Sequence, residues 1–195
     1  MRRFPCLAFL AILLLAPAAA QASLDVESAF LRLLTPGGPT GNERILWSGK
    51  FSINLSDTNG IAPGTEDLVF TLESFVADPE NPDGGSFVQQ YSVVLPAGGL
   101  QSTDGGVTWS LAPDAATTLE TLDVTAVPGG GFMVDLLDRH ATLSDVDYGR
   151  VRVTLAIGDD AGSVESALVQ SGNQWLIAPS TPAPAPAQDT PTQSE

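Results

Sequence analysis

Apolar and polar side chains alternate along residues 44–55, and this period of two constrains the fold more than any other feature of the sequence. One side of the alternation holds Ile45, Trp47, Gly49, Phe51, Ile53 and Leu55. The residues between them are Arg44, Ser48, Lys50, Ser52 and Asn54, with Leu46 the exception. Successive side chains of a β-strand point to opposite faces of its sheet, so the pattern predicts a long strand with one buried face. Trp47, Phe51 and Ile53 are therefore expected to be buried together.

The same alternation recurs along the rest of the chain, where glycine- and proline-rich turns separate the alternating segments. Residues 87–95 and 151–157 carry it most clearly. Shorter candidates span 30–34, 68–72, 107–111, 119–127, 132–136, 164–169 and 174–177. The intervening turns include 35–39, 57–60, 96–99, 128–131 and, as the longest, 78–85. No segment has a convincing helical pattern. The prediction is an all-β fold, an antiparallel β-sandwich of about eight to ten strands, with a barrel as the other architecture that this pattern permits.

Two parts of the sequence resemble each other. G-K-F-S-I-N-L-S-D at 49–57 is similar to G-G-F-M-V-D-L-L-D at 130–138, an offset of 81 residues. Each is followed after a loop by a further strand, at 68–72 and at 151–155, an offset of 83 residues. Two related halves of one domain would give this pattern, and so would strands whose alternation is merely alike.

The chain begins with the features of a secretory signal peptide. Arg2 and Arg3 precede an apolar run over 7–15, and Ala20-Gln21-Ala22 has the small-x-small pattern of a cleavage site. Residues 1–22 are predicted to be this signal, with an uncleaved N-terminal anchor as the alternative. Residues 23–178 then form a single domain, and 179–195, rich in Pro, Ala and Thr, a disordered tail. The expected location is secreted, in the periplasm, at the cell surface or in the medium.

Composition argues against disulfide bonds and against nucleic acid or anionic lipid as partners. Cys6 is the only cysteine and lies within the signal, so the mature chain has no disulfide and depends on its core. The formal net charge is −15, which becomes −17 without Arg2 and Arg3. Such a surface repels nucleic acid and anionic lipid, and it attracts cations or basic partners. After removal of the signal, no segment is apolar and long enough to cross a membrane.

Residues 102–109, S-T-D-G-G-V-T-W, resemble the Asp-box, the S-x-D-x-G-x-T-W hairpin of sialidases and other BNR-repeat propellers. The resemblance implies that Asp104 accepts hydrogen bonds from backbone amides, that Gly106 adopts a conformation closed to other residues, and that Trp109 packs beneath the hairpin. In that family the box is structural and is not the catalytic site. The motif occurs once here, whereas propellers carry several copies, and the arginine cluster of a sialidase has no counterpart. Simple Asp-Gly-Gly turn chemistry is the other interpretation.

The sequence offers no catalytic constellation. His140 is the only histidine, and a Ser-His-Asp site would have to use it. No Gly-x-Ser-x-Gly elbow is present, and one histidine without cysteine cannot hold zinc. His140 is therefore interpreted as a polar loop residue, and no catalytic residue is predicted.

Calcium is the best candidate for a bound ion, because acidic turns supply the oxygen ligands that it prefers. The first choice is the loop with Asp78, Glu80, Asn81 and Asp83. Other acidic pairs are Asp57 and Asn59, Asp145 and Asp147, and Asp159 and Asp160. None has the EF-hand spacing, so solvated turn carboxylates are the alternative.

These observations favour a secreted, acidic, non-enzymatic β-sandwich that binds a protein or glycan, or has a structural role, at the cell exterior. The whole chain also resembles small secreted β-rich bacterial proteins of unknown role, through residues 151–162 and Trp175, and this resemblance implies no activity. The alternative is a carbohydrate-active protein, either a carboxylate-dependent glycosidase or a glycan-binding module. A module would use Trp47, Trp109 or Trp175 as a stacking platform, although the alternation places Trp47 and Trp109 on core faces.

Overall fold

The computed structural model describes residues 24–35, 43–53, 60–128, 130–143 and 146–177, without the side chains of Ile53, Pro82 and Asp83. These residues form eleven strands and no helix. The strands are β1 (Leu24–Leu34), β2 (Glu43–Ile53), β3 (Leu68–Asp78), β4 (Asn81–Leu95), β5 (Leu100–Ser102), β6 (Thr108–Leu111), β7 (Thr121–Ala126), β8 (Phe132–Ala141), β9 (Arg150–Ile157), β10 (Asp160–Ser171) and β11 (Gln174–Ile177). The signal and the tail predicted from the sequence lie outside the described residues.

All strand pairs are antiparallel, and they join into one sheet with the order β4-β3-β9-β10-β11-β1-β2-β8-β7-β6-β5. The prediction of an all-β antiparallel fold is confirmed. The sheet is continuous and curled into a half-barrel, and over the described residues the two separate sheets of a sandwich are not seen. The short strand β11 makes this connection, because it pairs with β10 on one side and with β1 on the other.

The core lies on the concave side of the curled sheet, where strands far apart in the sheet order pack against each other. The ring of Trp47 on β2 lies 5.2 Å from the ring of Phe70 on β3, measured between centroids. Trp47 and Phe51 are both buried, as the alternation in β2 predicts, while the side chain of Ile53 lies outside the described residues. Every second side chain of β3 and β9 points into this core and is buried: Leu68, Phe70, Leu72, Val151, Val153, Leu155 and Ile157.

The sequence similarity between the two parts of the chain coincides with a repeat in the topology. Hairpins β1–β2 and β3–β4 correspond to hairpins β7–β8 and β9–β10, and exchanging the two groups maps each set of four strands, β4-β3-β9-β10 and β1-β2-β8-β7, onto itself in reverse order. The similar segments therefore become neighbours: β2 pairs with β8, where Phe51 lies opposite Phe132, and β3 pairs with β9, where Thr71 lies opposite Thr154. The eight strands thus have an approximate two-fold symmetry.

The two sides of this symmetric arrangement differ in how the sheet is closed. On one side β11 bridges β10 and β1. On the other side β5 and β6 extend from β7, and β4 pairs only with β3 among the described strands. This leaves an opening, called the seam below, between β4 at Gln89–Val94 and the facing segments 116–118 and 138–142.

The tip of the β3–β4 hairpin corrects one sequence prediction. The break expected over 78–85 is a tight turn, because Asp78 pairs with Asn81 and the second strand resumes there. The carboxylate of Asp78 accepts a hydrogen bond from the amide of Glu80 at 2.9 Å, which closes the turn. Gly85 lies within β4 and does not end it. Glycine is needed there because a side chain at that position would overlap the ring of Phe75 on β3.

Candidate functional site

The seam holds a groove along the edge of β4. It consists of two adjoining recesses of about 360 and 460 Å³, which share Ser92 and Thr118 as lining residues. The first recess extends from Gln89 to His140, and the second lies between Val94 and the segment 116–118. Both recesses open to solvent along a strand edge, so the groove is accessible to an extended molecule.

A buried carboxylate lies beneath the first recess and joins its two walls. Asp138 is fully buried, and its Oδ2 accepts hydrogen bonds from the Tyr91 hydroxyl at 2.7 Å and from the Thr118 hydroxyl at 3.2 Å. Its Oδ1 accepts a hydrogen bond from the backbone amide of His140 at 2.7 Å. A buried carboxylate is tolerated when hydrogen bonds replace its water, and three donors do so here. The network fixes β4 to β8 across the seam.

The environment of Tyr91 keeps its phenol protonated. Burial raises the pKa of Tyr91 far above its ordinary value of about 10, and the hydrogen bond to Asp138 and the negative charge of that carboxylate raise it further. A neutral phenol can donate a hydrogen bond to the carboxylate, whereas a phenolate would repel it. Tyr91 therefore acts as a fixed donor in the wall of the groove.

This network was not predicted from the sequence, although the sequence holds one signal for Asp138. Val134, Leu136 and Asp138 occupy every second position of β8, and all three are buried. An acid that continues an apolar alternation is a candidate for a buried, hydrogen-bonded group. Its partner Tyr91 lies 47 residues away in sequence, and no local pattern connects the two.

A β-bulge shapes the β4 wall of the groove. Leu72 of β3 pairs with Tyr91 and Glu73 pairs with Gln89, so Gln90 is the extra residue in β4. Its side-chain amide donates hydrogen bonds to the hydroxyl of Ser74 at 2.9 Å and to the carbonyl of Val88 at 3.2 Å. The extra residue puts the side chains on its two sides out of step, so Phe87, which precedes the bulge, lies beside Phe75 on the outer face, whereas Tyr91, which follows it, faces the core.

The edge of β4 lacks the charges that usually protect an exposed strand edge. Residues 84–95 contain no Asp, Glu, Lys, Arg or Pro, although the chain has 23 acidic residues in total. Val88 and Val94 are 43% and 54% exposed. Soluble proteins commonly blunt edge strands with charge or proline, so an uncharged edge is open to pairing with another strand.

Arginines and aromatic rings cover the outer face of the sheet over strands β4, β3, β9 and β10. Arg152 makes two hydrogen bonds to the carboxylate of Glu73, at 2.6 and 2.9 Å, and its guanidinium lies 4.4 Å from the ring centre of Phe87. Arg150 pairs with Glu165 and lies 4.5 Å from the ring centre of Phe75. Both cations already have an acidic partner, so this face has the character of a structural ladder.

His140 lies at the rim of the first recess, but in a different setting from the one expected. The sequence interpretation placed it in a polar loop, whereas it belongs to strand β8. Its side chain is exposed, and its backbone amide holds Asp138. The loop assignment failed because Asp138-Arg139-His140 has three polar residues in a row, which masks the alternation of β8.

The candidate calcium ligands meet only in part. Asp78, Glu80 and Asn81 lie together at the exposed tip of the β3–β4 hairpin, and the side chain of Asp83 lies outside the described residues. One carboxylate oxygen of Asp78 is engaged with the amide of Glu80. Within the described ranges, no group of three or more His, Cys, Asp or Glu side chains is arranged to hold a metal ion.

Residues 102–109 form a compact hairpin between β5 and β6. The Asp104 carboxylate accepts hydrogen bonds from the amides of Val107 and Thr108 at 3.1 and 2.8 Å, and the Ser102 hydroxyl accepts one from Gly106. These hydrogen bonds hold the pKa of the Asp104 carboxyl below its ordinary value, and the one from the Thr108 amide contributes most. Gly106 has a φ of +91°, which favours glycine, and its Cα faces the ring of Trp109. Every one of these contacts is internal to the hairpin.

The three tryptophans lie apart from one another in the sheet, and Trp47 is buried. Trp47 is 1% exposed, and its indole nitrogen donates to the Ser28 hydroxyl at 3.0 Å. Trp109 and Trp175 are partly buried and pack at the margin of the core, beside Phe132 and Tyr148 respectively. Their rings lie on different strands that are not adjacent in the sheet.

Comparison with known proteins adds no relative: no protein-family model, no curated protein and no solved structure matches this chain. The described part of the chain has no helix with the length and apolar character needed to span a membrane.

Proposed function

We propose that this chain is an exported binding protein without a catalytic role, and that its ligand occupies the groove at the seam. The observation that carries the proposal is the pair of adjoining recesses along an uncharged strand edge. The base of the groove supports binding more than catalysis. Asp138 already accepts three hydrogen bonds, so its carboxylate is committed to holding the two walls in place.

The surrounding structure suits a rigid binding scaffold. The two facing halves of the curled sheet act as the two layers of a β-sandwich, with Trp47 against Phe70 between them. The hairpin at 102–109 is an Asp-box-like staple that stiffens the β5–β6 turn through Asp104. The predicted signal peptide supports export of this protein. The net charge of −15 supports solubility and a ligand that is cationic or neutral.

A glycan is the second candidate ligand, because the first recess is lined by polar side chains such as Gln89, Gln90 and Thr142. The corresponding enzyme would be a carboxylate-dependent glycosidase. Asp123 and Asp135 are cross-strand neighbours on β7 and β8 and give the nearest carboxylate pair in register. They lie on the outer face, where Ser110 donates a hydrogen bond to Asp123, and outside the groove.

The proposal is tested by nuclear magnetic resonance on the isotope-labelled 23–195 chain. Two sets of probes are added: soluble oligosaccharides, and uncharged or basic peptides in extended conformation. A ligand of the groove will shift the amide signals of Gln89–Val94 and of 116–118. Shifts confined to other regions, or none with either set, would refute the groove as the binding site.

Matched variants sharpen this test. Ser92 lines both recesses, and its hydroxyl lies 3.4 Å from that of Thr71. Ser163 is its counterpart in the other half of the fold, with its hydroxyl 2.8 Å from that of Thr154. Ser92→Trp should block the groove, while Ser163→Trp should leave binding unchanged. Hydrolysis of the oligosaccharides that is lost in Asp123→Asn or Asp135→Asn would overturn the non-enzymatic assignment.

A further inference from the structure

We infer that the groove binds an extended peptide of another protein, neutral to basic in charge, which adds to the edge of β4 as a further antiparallel strand. This inference rests on the proposed function and names the class of ligand. Strand addition gains its affinity from main-chain hydrogen bonds and its selectivity from recesses that receive alternate side chains. The seam offers both elements.

The symmetry of the fold supports strand addition at β4. β4 and β10 are equivalent strands of the two halves, since each is the second strand of a hairpin that begins with β3 or β9. The edge of β10 accepts β11, a strand of four residues, over Leu168–Ser171. The edge of β4 has no such strand among the described residues. One half of the molecule thus shows that a short extended segment can pair with the second strand of such a hairpin; β11 does so past the residues of β10 that pair with β9, and not at the stretch around Ser163 that corresponds to the groove.

The shape of the seam suits a single extended chain. The groove follows Gln89–Val94, six residues of strand, or about 20 Å at the usual rise per residue. Its far wall, residues 116–118, stands opposite this edge. A single chain of about six residues fits such a groove, whereas the broad sheet of a second copy would meet that wall. The two recesses lie one after the other along β4. They would receive side chains from the same face of the added strand.

The charge of the molecule selects among possible peptides. Residues 84–95 carry no charge, but the rest of the molecule brings the total to −15. Glu120, which follows the 116–118 wall in sequence, already has its carboxylate paired with Arg139. An acidic peptide would be repelled by the molecule as a whole, and a basic one would be attracted over a distance of about 10 Å at moderate salt. The ligand is therefore neutral or basic.

The test uses a fluorescent nine-residue peptide in which valine alternates with lysine and threonine, titrated into the 23–195 chain. Binding is followed by anisotropy, with three control peptides or conditions. A version with N-methyl groups on its central amides cannot pair with a strand edge and should not bind. A version with glutamate in place of lysine should bind at least about tenfold more weakly, a difference of about 1.4 kcal/mol. Raising the salt should weaken binding of the lysine peptide.

Two variants locate the binding edge. Val94→Lys adds a charge on β4, where the side chain is 54% exposed, and should weaken binding of the peptide at least about tenfold. Val169→Lys adds the same charge on β10, at a side chain that is 51% exposed, and should leave binding unchanged. Circular dichroism and thermal melting verify that both variants are folded.

Each other outcome overturns the inference in an identifiable way. Equal binding of the N-methylated peptide would exclude strand pairing. Equal loss in Val94→Lys and Val169→Lys would show attraction to charge alone. Sedimentation as a dimer that Val94→Lys dissociates would make a second copy the occupant. If oligosaccharides shift the seam amides and peptides do not, the groove remains a binding site but not for a strand. If neither does, both the inference and the proposed function fail.

Discussion

Gly49 shows how a single missing side chain can determine the packing of the core. A Cβ atom at this position would overlap the six-membered ring of Trp47, which is the largest fully buried side chain. Overpacking of this kind costs about 1–3 kcal/mol, because the ring must leave its rotamer or the strand must shift. We expect Gly49→Ala to lower the free energy of unfolding by this amount in urea titrations.

Gly64→Ala is the matched control for this prediction. The nearest atom to a Cβ at Gly64 lies 3.5 Å away, an ordinary contact distance. Its effect should remain within about 0.5 kcal/mol. Equal destabilisation by both substitutions would attribute the loss to removal of glycine as such, and would contradict the packing role of Gly49.

The hydrogen bond between Tyr91 and Asp138 should be measurable both in stability and in its pH dependence. Tyr91→Phe removes one of three donors to a buried carboxylate and should cost about 2 kcal/mol. In an Asp138→Asn background, the same substitution should cost clearly less, since the charged acceptor is gone. Urea unfolding of the four proteins at pH 8 gives the coupling energy.

The raised pKa of Tyr91 sets the sign of the pH effect. Above its unfolded pKa of about 10, the unfolded chain releases the phenol proton while the folded chain keeps it. The folded state then binds more protons, so stability decreases with rising pH, by up to about 1.4 kcal/mol per pH unit. Wild type should therefore lose stability more steeply than Tyr91→Phe between pH 10 and 11. Parallel curves would show that Tyr91 is not perturbed.

Local alternation predicts which residues are buried but not what they touch. Burial of Trp47 and Phe51 follows from their places in β2, and the structure confirms it. The contact of Trp47 with Phe70 and the bond of Tyr91 to Asp138 join separate strands. Such pairings depend on the topology of the sheet, which the period of two does not contain.

At the scale of elements, several strands were predicted close to their observed bounds, including the four-residue strands β6 and β11, whereas β5 and the first residues of β1 and β4 were missed. The prediction of 119–127 became Thr121–Ala126, and 151–157 became Arg150–Ile157. Strand β5 was missed because three residues are too few to show a period. The start of β4 was missed because Gly84 and Gly85 signal a turn, whereas Gly85 lies within the strand and allows β3 to pack closely against it.

The tip of the β3–β4 hairpin is where the calcium hypothesis can be tested. If Asp78, Glu80, Asn81 and Asp83 bind the ion, calcium at about 100 times its Kd should raise the free energy of unfolding by about 2.7 kcal/mol. Asp78→Asn should abolish this gain, and Asp114→Asn, in an exposed turn, should not. Thermal melting in calcium, in magnesium at equal ionic strength and in EDTA measures the effect. Equal melting temperatures in all three would leave the tip as a solvated turn.

At the scale of the molecule, the sequence repeat carried more information than the strand count. Similar segments offset by 81 and 83 residues lie on paired strands, and eight of the eleven strands follow the resulting symmetry. The departure from symmetry could not be read from the sequence. It depends on β11 bridging β10 and β1 while β5 and β6 leave β4 open, and these are non-local choices among short strands. The seam, and with it the candidate site, is a product of that asymmetry.

The charge of the whole molecule leads to a prediction about salt. The described ion pairs are exposed or partly exposed, as for Arg139 with Glu120 and Arg152 with Glu73, and such pairs contribute about 0–1 kcal/mol each. Salt weakens these ion pairs, but it also screens the repulsion between the acidic groups of a chain with a net charge of −15. Asp123 and Asp135, for example, lie opposite each other on the paired strands β7 and β8. Repulsion involves many more charge pairs than attraction, so sodium chloride should raise the melting temperature of the wild type. Asp135→Asn should raise the melting temperature at low salt and reduce the dependence of the melting temperature on salt. Differential scanning calorimetry between about 20 and 500 mM salt, with Asp114→Asn as the control, measures both effects. A melting temperature that falls with salt would mean that the few ion pairs outweigh the excess of acids.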